Sequence, residues 1–359
     1  MNHKQLIFAR EFRGYTQTAL AKSIKGLSQP NLSNFEKGIG VLSKEIQLKI
    51  MDFLNFPANF FDEKINISIS NSNYRKKYSV LKSEAIRFES KCKLIGKIVD
   101  DFSESIDWID FNLIALDIED GYFPQDVARH NRQKLGLSSD KPVRNIISLL
   151  ESNGIIIFEI DETDKFDGIS FITNNGIPVI IINKNFPNDR KRFTIAHELG
   201  HVLLHNENNY SIPLHRDNEK QKEKEANEFA SEFLMPEEEI RRSLKFLKMK
   251  DLVSLKSYWL TSMSSIIRRA KDLECIDNER YKYFMIEMSR HGYNKNEPID
   301  VYIDTPTCFK NAYNLFVDEL GYTTQDFTNY TSLPKDIIND ILSFESKVKF
   351  KSVSLYPKN

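Results

Sequence analysis

The segment His197-Glu198-Leu199-Gly200-His201 constrains this chain more than any other feature. Histidines at positions i and i+4 of a helix lie one turn apart on the same face, so both imidazoles can reach one Zn²⁺ at about 2.0–2.1 Å. Glu198 would then stand beside an open metal position, where it can take a proton from a water that attacks a carbonyl and pass it to a leaving amine. The segment predicts a helix that carries a zinc hydrolase site.

The residues that flank this motif favour a buried metal site over a chance pattern. They make the helix apolar nearly all round, as in a buried helix; they are Phe193, Ile195, Ala196, Leu199, Val202, Leu203 and Leu204. Buried imidazoles need polar partners, and a metal ion is one such partner. The alternative is a pair of hydrogen-bonded histidines in a protein core, because patterns of this length also recur by chance in helical proteins.

A third protein ligand is needed, and its type separates the subclasses of zinc peptidase. In the metzincin pattern a third histidine follows ten residues after the first, but Glu207 occupies that position here. His205 continues the i, i+4 series by one more turn. A straight helix carries His205 past a metal that is already held by His197 and His201, so we expect it at the helix end or behind the ligands.

The better source of a third ligand is the acidic helix predicted from about Asp217 to Leu234, which ends just before Pro236. Its inward stripe is apolar and consists of Ala226, Phe229, Ala230, Phe233 and Leu234. Glu219 and Glu223 fall on or beside this stripe, where a carboxylate must be paired or metal-bound. Glu223 is the stronger candidate because it lies one turn nearer the small residues that let helices approach closely.

We predict different roles for the other polar residues of the same helix. Asn227 follows Glu223 by one turn, and we expect its amide to hydrogen-bond a metal ligand from behind. We expect Glu225, Glu228 and Glu232 to point outward into solvent.

Three runs of the sequence resemble the ImmA/IrrE family of bacterial metallopeptidases: Arg192 to His201, Glu223 to Ala230, and Phe233 to Pro236. In that family the Glu of the E-x-x-A-N segment is taken as the third metal ligand, which agrees with the helical-face argument for Glu223. The resemblance covers roughly residues 74–342. It implies a zincin-like domain with one Zn²⁺ per chain and site-specific cleavage of a repressor, which relieves repression under stress.

The N-terminal segment is locally basic. Residues 1–54 hold eight lysines and arginines against four acidic residues, whereas the whole chain has a net charge of −1. Thr16 can cap a short helix that ends in a turn at Gly26, and Ser28 can cap a second helix that closes at Gly38. This spacing predicts a helix-turn-helix within a small helical bundle.

Amides and hydroxyls on the outward face of the second helix suit the edges of DNA bases, since Gln and Asn can pair with adenine. The predicted DNA-binding residues are Gln17, Ser28, Gln29, Asn31, Ser33, Asn34 and Lys37. The segment from Tyr15 to Gly38 resembles the Xre-type, Cro/repressor-like domain, which implies double-stranded DNA as a partner and binding as a homodimer. A dimerisation or protein-docking module is the alternative, because short helices alone specify no partner.

The remaining patterns predict an α+β fold that is mainly helical. Apolar runs at residues 155–160, 168–172 and 177–182 predict a three-stranded sheet that precedes the motif helix, which begins at Asn188 or Asp189. The predicted units are an Xre-type domain (1–65), a helical connector (66–123), a zinc peptidase domain (124–270) and a helical C-terminal accessory region (271–359) of unknown role.

Composition places the chain inside the cell. The three cysteines, Cys92, Cys275 and Cys308, are odd in number and widely spaced, which argues against a disulfide framework and against a cysteine-ligated zinc. There is no apolar stretch of membrane-spanning length and no hydrophobic signal region at the N-terminus. We therefore expect a soluble, cytoplasmic protein without a membrane partner.

Two classes of function remain. The first is a zinc endopeptidase and transcriptional regulator that cleaves a helix-turn-helix repressor. The second is a non-enzymatic DNA-binding regulator or antitoxin-like protein with a structural or sensory metal site. Glu198 favours the first class, because a structural site gains nothing from a base placed beside the metal.

Overall fold

The computed structural model describes residues 1–62, 81–116, 118, 121–205 and 219–342. These residues form a mainly helical structure with one small sheet, which confirms the predicted balance of elements. The helices are α1 His3–Phe12, α2 Gln17–Ser23, α3 Gln29–Glu36, α4 Lys44–Leu54, α5 Lys82–Ser103, α6 Pro124–Lys134, α7 Ile146–Glu151, α8 Asn188–Leu204, α9 Glu219–Leu234, α10 Glu237–Leu244, α11 Met249–Trp259, α12 Met263–Asp272, α13 Asn278–Arg290, α14 Cys308–Asp318, α15 Thr324–Thr331 and α16 Lys335–Leu342, with a short 3-10 helix at Ala58–Phe61. The strands are β1 Ile156–Ile160, β2 Gly168–Ile172 and β3 Pro178–Asn183.

The N-terminal helices begin where the capping residues predicted. The side chain of Thr16 accepts a hydrogen bond from the Ala19 N–H at the start of α2, and Ser28 does the same for Asn31 at the start of α3. Helices α2 and α3 pack against each other. Gly38 follows α3 with φ +74°, a left-handed conformation that glycine adopts without steric cost.

The three-stranded sheet has the order β1-β3-β2. β1 pairs in parallel with β3, and β2 pairs antiparallel with β3 across the turn that follows Ile172. Alternate side chains therefore enter two separate cores. One core receives Ile157, Ile180 and Ile182, and the other receives Ile156, Phe158, Ile160, Ile169, Phe171, Val179 and Ile181.

Helix α8 lies on the face of the sheet that carries Ile157, Ile180 and Ile182. It contacts β2 and β3, and α9 runs beside it. The two helices approach closely at Gly200, where a Cβ atom would come within 3.2 Å of the Ala226 Cα and of the Phe229 ring. Glycine therefore sets the separation of the two helices that carry the predicted ligands.

The second face of the sheet is covered by α5 and by the C-terminal helices α14 to α16, in one core with the N-terminal helices. Phe102 of α5 stacks on Phe309 of α14, and Phe158 of β1 contacts the same ring. Arg13, just after α1, bonds Asp336 of α16. The N-terminal helices thus pack on the side of the sheet away from α8.

The prediction that Glu225 and Glu232 face solvent is wrong. Both are buried, at 4 % and 1 % exposure, while Glu228 is half-buried. The helical-wheel argument allowed α9 one buried face, but α9 packs against both α6 and α8. Positions beside the apolar stripe are therefore buried too, and each carboxylate has a partner: His205 for Glu225, and Arg129 and Arg269 for Glu232.

Among the residues that the structure describes, no helix is both long and apolar enough to cross a membrane. The first part of the predicted connector (66–80), the first residues of the predicted acidic helix (217–218) and the end of the accessory region (343–359) lie outside the described residues.

Candidate metal centre

Helix α8 presents His197 and His201 on one face, as their spacing predicts. It begins after Pro187 and is buried for most of its length, so neither imidazole reaches bulk solvent; the two are 3 % and 5 % exposed. The ring Nε2 atoms face each other at 3.1 Å.

Glu223 of α9 completes a cluster of three residues that could hold a metal ion. Its Oε1 lies 3.2 Å from His201 Nε2, and its Oε2 lies 3.6 Å from His197 Nε2. In a tetrahedral zinc site with bonds of about 2.0–2.1 Å, ligand atoms are separated by roughly 3.3 Å. The distances of 3.1 Å between the two Nε2 atoms and 3.2 Å between His201 Nε2 and Glu223 Oε1 are close to this value, so the donor set fits a zinc ion. In the described part of the chain, these three residues form the one cluster of this kind.

The electrostatics of Glu223 also suit a metal ligand. Burial raises the pKa of Glu223, but hydrogen bonds with His197 and His201 outweigh burial and hold the pKa well below its ordinary value. The carboxylate therefore stays ionised, which is the form that coordinates a metal.

The close contact of α8 and α9 brings Glu223 within reach, and it yields a prediction for Gly200→Ala. In a free helix this change would stabilise by about 1 kcal/mol. At this site the added Cβ meets the Ala226 backbone at 3.2 Å, and overpacking costs about 1–3 kcal/mol. We expect a net loss of up to about 2 kcal/mol in unfolding free energy, together with weaker zinc binding because Glu223 moves with α9. Urea unfolding and zinc titration would measure both effects; unchanged zinc affinity would contradict the geometric link.

Glu198 lines a cleft together with His197 and contacts strand β2. The hydroxyl of Ser170 donates a hydrogen bond to Glu198 Oε2 at 2.7 Å. Sequence reasoning missed Ser170, although its alternation with Ile169 and Phe171 in a buried strand places it on the α8 side of the sheet.

A small cleft opens beside Glu198. It is lined by Asp167, Gly168, Arg190, Phe193, Thr194, His197 and Glu198. A side chain at Gly168 could not be accommodated, since its Cβ would lie 2.6 Å from the Thr194 methyl and 3.6 Å from Glu198 Cγ. The absent side chain keeps β2 close to the face of α8 that carries Glu198.

A second buried imidazole lies behind His201. The Nδ1 atoms of His201 and His205 are 3.0 Å apart, and His205 Nε2 lies 2.9 Å from Glu225 Oε2. Burial lowers the pKa of His205 to about 4, and its hydrogen bond with Glu225 opposes this shift only in part. His205 therefore stands at the end of α8 and behind His201.

Asn227 and Glu219 are the other two residues that the sequence predicts for this centre. The Asn227 amide donates to the backbone carbonyl of Glu223 at 2.7 Å, so it holds the ligand's own turn of α9. The side chain of Glu219, the alternative third ligand, lies outside the described residues. Its competitor Glu223 is the residue that the fold brings to the two histidines.

The predicted DNA-binding residues lie far along the chain from this centre and gather on α2 and α3. The Gln29 amide donates to Gln17 at 3.0 Å, and the Gln17 amide donates to Glu36, whose carboxylate is also bound by Arg10. The exposed members are Ser28, Asn31, Asn34 and Lys37, and Ser33 is half-buried. Their role in DNA binding stays a prediction.

Comparison with known families bears on the metal centre. Residues 151–271 match the family model of the IrrE N-terminal-like domain, Peptidase_M78. The matched segment contains the whole sheet, α8 and α9, and it supports a metallopeptidase-type function of the ImmA/IrrE family. That family is typically zinc-dependent. The N-terminal helices lie outside the match, and no curated protein matches the chain.

Proposed function

We propose that this chain is a zinc-dependent, site-specific endopeptidase with one Zn²⁺ held by His197, His201 and Glu223. The observation that carries the proposal is the cluster of His197, His201 and Glu223. The two Nε2 atoms lie 3.1 Å apart and His201 Nε2 lies 3.2 Å from Glu223 Oε1, separations close to those around a tetrahedral zinc ion. The acidic residue between the histidines, Glu198, distinguishes this centre from a structural site.

The chain's own residues account for the proton transfers of peptide hydrolysis. A bound zinc ion supplies Lewis acidity, which acidifies water and polarises a carbonyl. Glu198 takes the proton of the attacking water and returns it to the leaving amine nitrogen. Ser170 fixes Oε2 of this carboxylate, so the proton moves through Oε1. Because Ser170 holds one oxygen of a residue that lines the cleft, it restricts the orientation of the carboxylate there.

We expect the substrate to bind along strand β2. It lies at one edge of the sheet, and it contacts α8 beside Glu198. An extended peptide can add to such an edge as a further strand, with its backbone held by main-chain hydrogen bonds. Gly168 of this strand lines the cleft together with Glu198, which would place a peptide bond next to the catalytic carboxylate.

The N-terminal helices extend the proposal to regulation. Residues 1–65 would bind double-stranded DNA as an Xre-type helix-turn-helix, in a homodimer, and the peptidase would cleave a helix-turn-helix repressor under stress in the cytoplasm. Joining the two modules raises the effective concentration of the peptidase near DNA-bound proteins. Two observations support DNA binding by these helices: residues 15–38 resemble the Xre-type domain, and α3 has a polar, exposed face.

Selectivity for a repressor is tested by cleavage assays. The zinc-loaded full chain is incubated with casein and with helix-turn-helix repressors encoded nearby, and the products are mapped by mass spectrometry. We expect one or a few cuts in a repressor and little digestion of casein, because a narrow cleft beside the β2 edge selects an extended, matching segment. Rapid casein digestion with repressors spared would reject the proposed substrate class.

DNA binding is tested separately. Substituting Gln29 and Asn34 together by alanine should remove about 1–3 kcal/mol of discrimination per lost base contact, while non-specific binding, carried by cations such as Lys37, persists and weakens with salt. Gln325 and Asn329, an exposed amide pair on α15, provide the matched double-alanine control. Electrophoretic mobility shifts measure both; equal loss in the two double variants would refute the assigned face.

The second candidate function is a non-enzymatic DNA-binding or antitoxin-like regulator whose metal is structural or sensory. It predicts zinc binding and DNA binding without any cleavage. The hydrogen bond from Ser170 to Glu198 favours the enzyme, because a structural site needs no oriented carboxylate outside its ligand set.

A further inference from the structure

The ligand His201 makes a contact on the side away from the metal cluster that the proposed reaction does not use. Its Nδ1 lies 3.0 Å from Nδ1 of His205, and His205 Nε2 lies 2.9 Å from Oε2 of Glu225. Gln221 donates to the other oxygen of Glu225 at 2.8 Å. Both His205 and Glu225 are buried, at 6 % and 4 % exposure. A carboxylate is rarely left in such surroundings without a specific partner.

Only one placement of hydrogen atoms satisfies this row of groups when a metal is bound. His201 faces the cluster with Nε2, so a metal there leaves the hydrogen of its neutral ring on Nδ1. His205 Nδ1 must then accept that hydrogen, because two N–H groups cannot face each other at this distance. A neutral His205 with a bare Nδ1 carries its hydrogen on Nε2, which points at Glu225. Every donor therefore meets an acceptor.

We propose that His205 and Glu225 form a relay that positions the metal ligand His201, in the order Glu225 carboxylate, His205, His201, metal. The inference rests on the proposed function, since it requires a metal at His201 Nε2. The relay fixes the orientation and tautomer of the His201 ring and increases its basicity as a ligand. His205 and Glu225 are positioning residues and do not touch the substrate.

The relay also joins the two helices that hold the ligands. His205 follows the last turn of α8, whereas Glu225 lies on α9, two residues after the ligand Glu223. A purely structural clamp between the helices would use the same contacts. The two roles differ in one respect: a clamp is indifferent to the tautomers of the histidines, whereas a relay requires one of them.

The tautomers are measured on the full-length, zinc-loaded protein labelled with ¹⁵N-histidine, by long-range ¹H–¹⁵N correlation spectra. The expected result is that His201 carries its hydrogen on Nδ1 and His205 carries its hydrogen on Nε2. A hydrogen on Nδ1 of His205 overturns the relay even if zinc is bound and peptides are cleaved. If the protein takes up no zinc, the proposed function and the relay both fall.

Variants supply the second measurement. His205→Phe keeps a ring of similar volume but removes both nitrogens, and Glu225→Gln keeps the shape while removing the charge. We expect zinc affinity to fall by roughly 10–100-fold in His205→Phe, as for other outer partners of metal ligands, and by a smaller factor in Glu225→Gln. With Co²⁺ in place of zinc, the visible absorption of both variants should differ from that of the parent. If His205→Phe does not fold, Glu225→Gln and the parent's tautomers decide the question.

Glu232→Gln is the matched control. This carboxylate lies on the same helix and is equally buried, but its partners are Arg129 and Arg269. We expect it to lower the melting temperature while the folded protein binds zinc like the parent. If the variants at His205 and Glu225 behave in the same way, with reduced stability but unchanged zinc affinity and Co²⁺ spectrum, the two residues are a clamp and the relay is refuted.

Discussion

Replacing Glu198 by glutamine is expected to lower the rate of peptide cleavage by roughly 10²–10⁴-fold, the contribution typical of a general base. The amide keeps the size of the carboxylate and can still accept the hydrogen bond from Ser170, but it cannot take a proton from water. Zinc content and fold should stay unchanged because Glu198 is not one of the three clustered ligands. Single-turnover cleavage of a mapped substrate, together with metal analysis, measures both effects.

Glu228→Gln is the control for this variant, since Glu228 is a half-buried carboxylate on α9 that lies outside the cluster. It should cleave like the parent. A Glu198→Gln variant as active as the parent would remove Glu198 from the mechanism and return the non-enzymatic regulator as the better account.

Removing the third ligand should have the largest effect on metal binding. In Glu223→Ala, two histidines remain, and the ion loses its one anionic ligand. In the parent, Oε1 of this carboxylate lies 3.2 Å from His201 Nε2 and Oε2 lies 3.6 Å from His197 Nε2. We expect zinc affinity to fall by more than the roughly 10–100-fold that follows the loss of an outer partner, with cleavage abolished. Competition with a chromophoric chelator measures the affinity.

Glu228→Ala serves as the matched control, because it removes a carboxylate from the same helix outside the cluster. Normal zinc stoichiometry and affinity in Glu223→Ala would direct attention to Glu219, the alternative that the helical-face argument left open.

Local sequence patterns were enough to locate the elements that carry the site. The i, i+4 spacing of His197 and His201 determined that both imidazoles share one helical face, and the structure places them on α8 as predicted. Short apolar runs predicted the three strands, and capping residues such as Thr16 and Ser28 predicted where α2 and α3 begin. Each of these features depends on residues that lie close together in the chain, so the sequence alone is enough to predict it.

The same reasoning failed for Glu225 and Glu232. A helical wheel describes one helix, but burial depends on how many neighbours pack around it. Because α6 and α8 both contact α9, two carboxylates predicted to face water are buried against His205 and Arg269. Ser170 was missed for a related reason, since its partner Glu198 is on a different element of the chain.

The sequence by itself determined the donor types, their helical spacing and the acid between the two histidines. Only the tertiary structure decided which carboxylate joins them. That choice depends on the close approach of α8 and α9, where Gly200 lies against Ala226, and a distance between two helices is set by packing rather than by local propensity. The tertiary structure also decided that His205 contacts Glu225 behind His201, because that contact joins the end of α8 to the middle of α9.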